Sequence, residues 1–314
     1  MKKIKLQNWS FYPYQMHPEK KLFDITRIIR HKYRLLTKNT PVASMGSCFA
    51  HEIKKWFLSN KFNYLQAETD TDYKHEFMKS HPPTVESSAG WGRIYSSGCI
   101  KQIFDYSFGK WEVEKRWWKR NINGKSVIQD PYRTYVFYDD IDEAETDWNN
   151  HKKCSKLILS TAEVLIITLG VNEVWYSETD QSILFRLPPK EIAKKNKYLF
   201  RCLTVDENLE NLLKIHSVLK KNNPECKVII TLSPVPLRHT FKENTDIFSA
   251  DNISKSILRL AIDEFIKKTE NTYYFPSFEI VRLMLNDPYM EDRRHITDET
   301  RESIMNFFKM LFVK

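Results

Sequence analysis

The sequence predicts a three-layer α/β fold with a mostly parallel sheet and helices on both faces. Three observations point there. Glu163-Val-Leu-Ile-Ile-Thr-Leu169 and Cys226-Lys-Val-Ile-Ile-Thr-Leu-Ser233 are near-continuous apolar runs of strand length, the pattern of strands buried on both faces. Stretches with a helical apolar stripe separate such runs. Each run also stops in a turn, at Gly46, at Gly170 and at Pro234-Val-Pro236.

In chain order, residues 1–40 form a basic, aromatic lead-in packed on the domain, with a helix expected across Lys21–Leu36. Pro41 to Met45 is a short buried strand that Gly46 ends, and Phe49, Ile53, Trp56 and Phe57 follow at helical spacing. Phe62–Gln66 is expected as a second strand, followed by a polar loop from Glu68 to Ser88. Ser96 is placed to cap a helix carrying Ile100, Ile103, Phe104 and Phe108. Residues 109–150 change character. Trp111-Glu-Val-Glu, Trp117-Trp118, the Asn123-Gly124 turn and Tyr135-Val-Phe-Tyr138 predict a β ribbon inserted in a single domain spanning 41–314. Helices are expected up to Thr161, over Val205–Asn222 and over Ile253–Lys268, with a strand at Thr272–Phe275. Thr297 is an N-cap for a terminal helix carrying Ile304, Phe307, Phe308 and Leu311.

Composition narrows the function classes. At 314 residues with 41% hydrophobic and 28% charged residues, the chain can bury a substantial core. The 13% aromatic content suits a groove for flat apolar faces such as sugar rings, and suits plain core equally well. A net charge of +9 favours polyanions, but the 49 basic residues are interspersed with 40 acidic ones, as on a solvated surface; nucleic acid is not expected as a partner. Five widely spaced cysteines without a CxxC argue against a disulfide framework or a thiolate zinc site, and the histidines show no metal spacing. No cofactor is expected. The N-terminus lacks an apolar leader core and no run approaches membrane-spanning length, so a cytoplasmic protein with no membrane span is expected.

In a parallel sheet, reactive groups gather beyond the carboxyl ends of the strands. Those ends carry Gly46-Ser47-Cys48, Gly92 and its neighbours, and Gly170-Val-Asn172, joined by the late loop Asp292-Arg-Arg-His295. A hydroxyl or thiol at a helix start, backbone N–H groups, an amide and an Asp-x-x-His pair are the parts of acyl transfer. A thiol at a helix N-terminus is expected to have its thiolate stabilised. Taken singly, the parts are ordinary. Ser47 is an N-cap, Cys48 a small apolar residue, Asn172 a turn residue, Asp292 a solvated charge and His295 a surface histidine.

Together they resemble a known family. Gly46-Ser-Cys-Phe-Ala50 matches the signature of the GSCFA-domain proteins, placed among the SGNH (GDSL-type) hydrolases. Trp91-Gly-Arg-Ile-Tyr95, Thr168-Leu-Gly-Val-Asn-Glu-Val-Trp175, Thr231-Leu-Ser-Pro-Val-Pro236, Tyr274-Phe-Pro-Ser277 and the Asp-x-x-His loop follow in the family's order. The resemblance implies an SGNH-like α/β domain. It also implies a nucleophile at Ser47 or Cys48, with Asp292 and His295 completing the catalytic set. Oxyanion donors are implied at Gly92 (or Gly90 or Gly98) and at Asn172. Ungapped, Cys48 falls on the usual serine and Ser47 on the usual aspartate; a shift of one residue makes Ser47 the nucleophile. Gly170, Glu173 and Arg293 are candidate substrate contacts, with Arg293 and Arg294 available to an anionic group.

The expectation is an acyl-ester hydrolase or O-acyltransferase acting on a small-molecule or glycan acyl ester, with acyl-coenzyme A a candidate donor. The rival from another class is a catalytically silent glycan- or coenzyme A-binding module of the same fold.

Overall fold

The computed structural model describes residues 31–72, 75–79, 85–113, 116–193 and 197–314. Its centre is a four-stranded, all-parallel sheet in the order β1 (Val42–Gly46), β5 (Val164–Leu169), β9 (Lys227–Leu232), β10 (Thr272–Phe275). β5 lies between β1 and β9, which is why its six residues are all buried and its sequence lacks alternation.

Successive side chains of each strand point to opposite faces. Ala43, Met45, Leu165, Ile167, Leu169, Val228, Ile230 and Leu232 join one core. Val42, Val164, Ile166, Ile229 and Phe275 join the other. The first face is covered by α2 (Ser97–Ser107), α3 (Ile141–Thr161), α4 (Val205–Asn222) and α5 (Ile247–Lys268). The second is covered by α1 (Cys48–Ser59) and α6 (Asp298–Phe312), through Phe49, Ile53, Trp56, Phe57, Phe307 and Phe308. Three layers result, as expected. The helix ends follow their caps: Ser47, Ser96, Asp140, Thr204, Asp246 and Thr297 each accept a backbone N–H, and Thr204 closes a full capping box with Glu207.

Two small antiparallel sheets sit on this frame. β2 (Trp118–Ile122), β3 (Lys125–Gln129) and β4 (Phe137–Tyr138) form the ribbon around Asn123-Gly124. β6 (Glu173–Ser177), β7 (Ile183–Leu184) and β8 (Tyr198–Cys202) form a second sheet that the sequence reading leaves as a loop.

Other expectations change in detail. Phe62–Gln66 is not a strand; Tyr64 makes a single parallel bridge to Val42. The segment from Trp111 to Val113 is irregular rather than part of the ribbon. Most of the helix expected across Lys21–Leu36 lies outside the described residues, and its final part is irregular rather than helical, with Arg34 at φ +52° and Leu36 bridging Val313. Among the described residues, no helix is long and apolar enough to cross a membrane.

Gly46 shows how tightly β1 meets β5. Its φ is +139°, and a Cβ there would lie 2.2 Å from the Thr168 carbonyl oxygen. Gly124, in the β2–β3 turn, has φ +82° but open space around it. Gly46→Ala is therefore expected to lose about 3 kcal/mol or more, from strained backbone plus overlap. Gly124→Ala is expected to lose only about 1–2 kcal/mol, from backbone strain alone. Urea denaturation of the two variants checks this, and equal losses would contradict it.

Candidate functional site

The carboxyl ends of β1, β5 and β9 are joined by backbone hydrogen bonds before any side chain is considered. Ser47 N–H donates to the Thr168 carbonyl at 3.1 Å, Ile94 N–H to Gly46 at 2.9 Å, Gly170 N–H to Tyr95 at 2.8 Å and Ser233 N–H to Leu169 at 2.7 Å. Beneath them lies Lys255, a buried lysine of α5. Its Nζ donates to the carbonyls of Gly170 (2.8 Å), Ser233 (2.9 Å) and Val235 (2.9 Å). Burial pulls the ammonium down to about 8, against the pull of Asp251. The ring of carbonyls answers the desolvation of the charge and fixes the loops after β5 and β9 to each other.

Above this rim is a cavity of about 350 Å³. Ser47, Cys48, Gly170, Glu173 and His295 all line it. The two ends of the chain are brought together by packing: α1 and α6 share one core, and Arg301 of α6 contacts Glu52 of α1 at 3.1 Å. The loop carrying His295 is clipped to the turn after β9, where Tyr289 Oη donates to the Pro234 carbonyl at 3.0 Å and Arg294 Nη2 to that of Pro236 at 3.2 Å.

His295 Nδ1 lies 2.5 Å from Asp292 Oδ2, and Asp292 Oδ1 accepts the N–H groups of Arg294 and His295, both at 2.9 Å. These backbone donors, Arg294's first, and the imidazole hold the Asp292 carboxyl down at about 2. An ionised carboxylate on Nδ1 keeps the proton there and leaves Nε2 as the acceptor.

Ser47 and Cys48 differ in access. Ser47 is 2% exposed, caps α1 and accepts Phe49 N–H at 3.4 Å. Cys48 is half-buried and opens α1, so its own N–H has no intrahelical acceptor. The thiolate expected at this helix start is not stabilised. Burial pushes the Cys48 thiol up from its ordinary value; Arg93, Lys255 and Arg294 oppose that push without overcoming it, and Glu86 adds to it. Arg93 is partly spent on Glu86, to which it donates twice, at 2.7 and 2.8 Å.

Four residues expected at the site do not line the cavity, and of these Asp292 reaches it only through His295. Asn172 is fully buried. Its Nδ2 donates to the Leu203 carbonyl at 2.9 Å, its N–H to Ser254 Oγ at 3.0 Å, and its own carbonyl accepts Leu203 N–H. It clamps the turn after β5 to the turn before α4, and its amide nitrogen is committed there. Gly92, at φ +67°, packs against Thr134, while its neighbours Arg93 and Tyr95 reach the cavity. Arg293 is exposed at φ +53°, and Arg294 points inward in its place. Glu173 lines the cavity but accepts Thr240 Oγ1 (2.7 Å) and Phe241 N–H (3.3 Å), so it holds the loop after β9.

Sequence reasoning missed the aromatic wall formed by Trp175, Phe200 and Phe241, whose ring centroids lie 5.1 to 5.7 Å apart. It also missed Lys255 and Arg186. The alternation of Glu173-Val-Trp-Tyr-Ser177 was the available signal for the wall; the two cations carry none. Among the described residues, no group of three or more His, Cys, Asp or Glu side chains could hold a metal ion, and all five cysteines are unpaired.

The chain belongs to the GSCFA family, whose model matches residues 41–308. No curated protein sequence matches it. Among solved structures it is similar to a carbohydrate esterase family 3 protein from Talaromyces cellulolyticus, with 11% identity, a TM-score of 0.37 and coverage of 86% of this chain and 94% of that one. It is also similar to an acetyl esterase mutant S10A with acetate ion, with 11% identity, a TM-score of 0.36 and coverage of 85% and 93%. Likeness this distant carries no functional weight.

A thiol pushed up by its surroundings is protonated at neutral pH. Alkylation of Cys48 by iodoacetamide, followed by peptide mass spectrometry, is therefore expected to be slower than that of glutathione at pH 7. The rate should keep rising with pH beyond the point where glutathione levels off. Fast, pH-independent labelling near neutrality would show a resting thiolate and contradict this.

Proposed function

We propose that this protein is an SGNH-type acyl-ester hydrolase or O-acyltransferase, acting on an acylated carbohydrate through Cys48, His295 and Asp292. One observation carries the reading: a nucleophile-bearing strand end and the His295 of an Asp–His pair, drawn from opposite ends of the chain, line the same cavity. Cys48 is preferred to Ser47 because it is the more accessible of the two and Ser47 is engaged as the helix cap.

In the proposed reaction His295 Nε2 takes the thiol proton as Cys48 Sγ attacks the acyl carbonyl carbon. Asp292 steadies the imidazolium. The oxyanion faces the α1 N-terminus, where the Cys48 N–H and the helix dipole favour negative charge. The tetrahedral species then collapses, the C–O bond to the leaving alcohol breaks, and His295 returns the proton to that alcohol. A thioester on Cys48 remains. Water or a sugar hydroxyl, deprotonated by His295, attacks it and releases the thiol. A raised thiol suits this order of events, since the proton leaves only when the base and the substrate are both in place. The Trp175, Phe200 and Phe241 wall offers flat faces to a sugar ring.

With an acetylated sugar as substrate, His295→Ala is expected to lower kcat by about a hundredfold to ten-thousandfold. Cys48→Ala is expected to abolish turnover, and Ser47→Ala to reduce it less. Unchanged turnover in His295→Ala would end the proposal. Loss in Ser47→Ala with retention in Cys48→Ala would move the nucleophile to Ser47. A silent binding module would show no turnover in the parent protein.

A further inference from the structure

Arg186, just past β7, lines the same cavity and is held without a counter-ion among the described residues. Its Nε and Nη1 are buried and neither has a hydrogen-bond partner. The guanidinium instead lies over the Tyr135 ring, 4.8 Å from the centroid. Burial pulls it below its ordinary value, the Tyr135 hydroxyl opposes this and Arg120 adds to it; no carboxylate contributes.

The other arginines around the cavity are placed differently: Arg238 is exposed to solvent, and Arg294, though its Nε is also buried without a partner, is held through another nitrogen. Arg93 is paired with Glu86 and Arg294 donates to the Pro236 carbonyl. Arg120, the second positive charge felt by Arg186, is itself paired with Glu191 and bonded to Gln129. A planar cation with two buried nitrogens that find no acceptor is a costly arrangement in a folded chain. It becomes favourable when a ligand oxyanion in the cavity pairs with the guanidinium, whose planar set of donors suits carboxylate and phosphate oxygens better than an ammonium does. Trp175 Nε1, another buried donor without a partner, lies in the same wall.

We infer that Arg186 is a specificity-determining residue that binds an anionic oxygen group, a carboxylate or a phosphate, carried by the substrate whose acyl ester faces Cys48. This rests on the proposed esterase reading and adds the substrate's charge to it. Among the described residues Glu173 is the one carboxylate lining the cavity, and it is occupied by Thr240 and Phe241, so it does not neutralise the site from within.

The test compares monoacetylated glucose, glucuronate and glucose 6-phosphate as substrates. It is paired with calorimetric titration of unacetylated glucuronate, glucose 6-phosphate and glucose. The parent protein is expected to favour at least one anionic ester over the neutral one by about tenfold or more in kcat/KM. That ratio should fall toward parity in Arg186→Met and lie between the two in Arg186→Lys, with both variants checked for native circular dichroism. Which anion is preferred separates a carboxylate from a phosphate.

Preference for the neutral ester, or a ratio unchanged in Arg186→Met, overturns the inference and leaves the esterase reading standing. Anion binding that depends on Arg186 without turnover of any ester keeps the inference and ends the esterase reading. A parent protein that shows no preference for an anionic ester and binds neither anion overturns the inference outright.

Discussion

The rim on which this site stands depends on one buried ammonium. Lys255 Nζ gathers the carbonyls of Gly170, Ser233 and Val235, so the turns leaving β5 and β9 cannot move independently. A lysine in such a place would be a liability without acceptors. With three carbonyls aimed at it, it fixes the floor of the cavity and holds a positive charge under the position of Cys48, whose thiol feels that charge. Asp251, itself bonded to Arg282 and to Leu237 N–H, keeps the charge from being isolated.

From that floor the rest of the site follows by packing. The parallel register of β1 on β5 places Gly46 opposite Thr168, close enough to exclude a side chain, and the chain then turns directly into α1. α1 packs on α6 across the second core, which brings the loop before α6 to the same rim. The Asp292 carboxylate and its backbone donors shape that loop so that the imidazole stands at the cavity with Nδ1 occupied. The β6–β7–β8 sheet walls the cavity with aromatic faces from β6 and β8, Thr134 and Tyr135 of the β3–β4 connection add to that wall, and Arg186 enters just past β7. The site is thus built between a rigid parallel sheet and two additions to it.

Much of this was legible in the residues. The unbroken apolar runs at β5 and β9 mark strands buried on both faces, and the caps at Ser96 and Thr297 mark helix starts that the structure keeps. Ser47, Cys48, Asp292 and His295 stood out because their types and their places at turns suit one chemistry. What was hidden depended on distant partners. Asn172 turns inward because the Leu203 carbonyl, some thirty positions on, takes its amide. The thiol is pushed up by burial from walls that no local pattern announces. Lys255 lies in an amphipathic helix, where a lysine ordinarily faces water, and its burial comes from loops that follow other strands. β7 is two residues long, too short for periodicity to show, and its sheet was missed with it.

The proposed chemistry requires that acyl groups pass through Cys48. Rapid quenching of the protein during turnover of an acetylated sugar, followed by peptide mass spectrometry, reads this directly. The expected result is one acetyl group on the peptide containing Cys48, removed by neutral hydroxylamine as a thioester is. An acetyl group on a different residue, or turnover with no acylated peptide at any quench time, would contradict it.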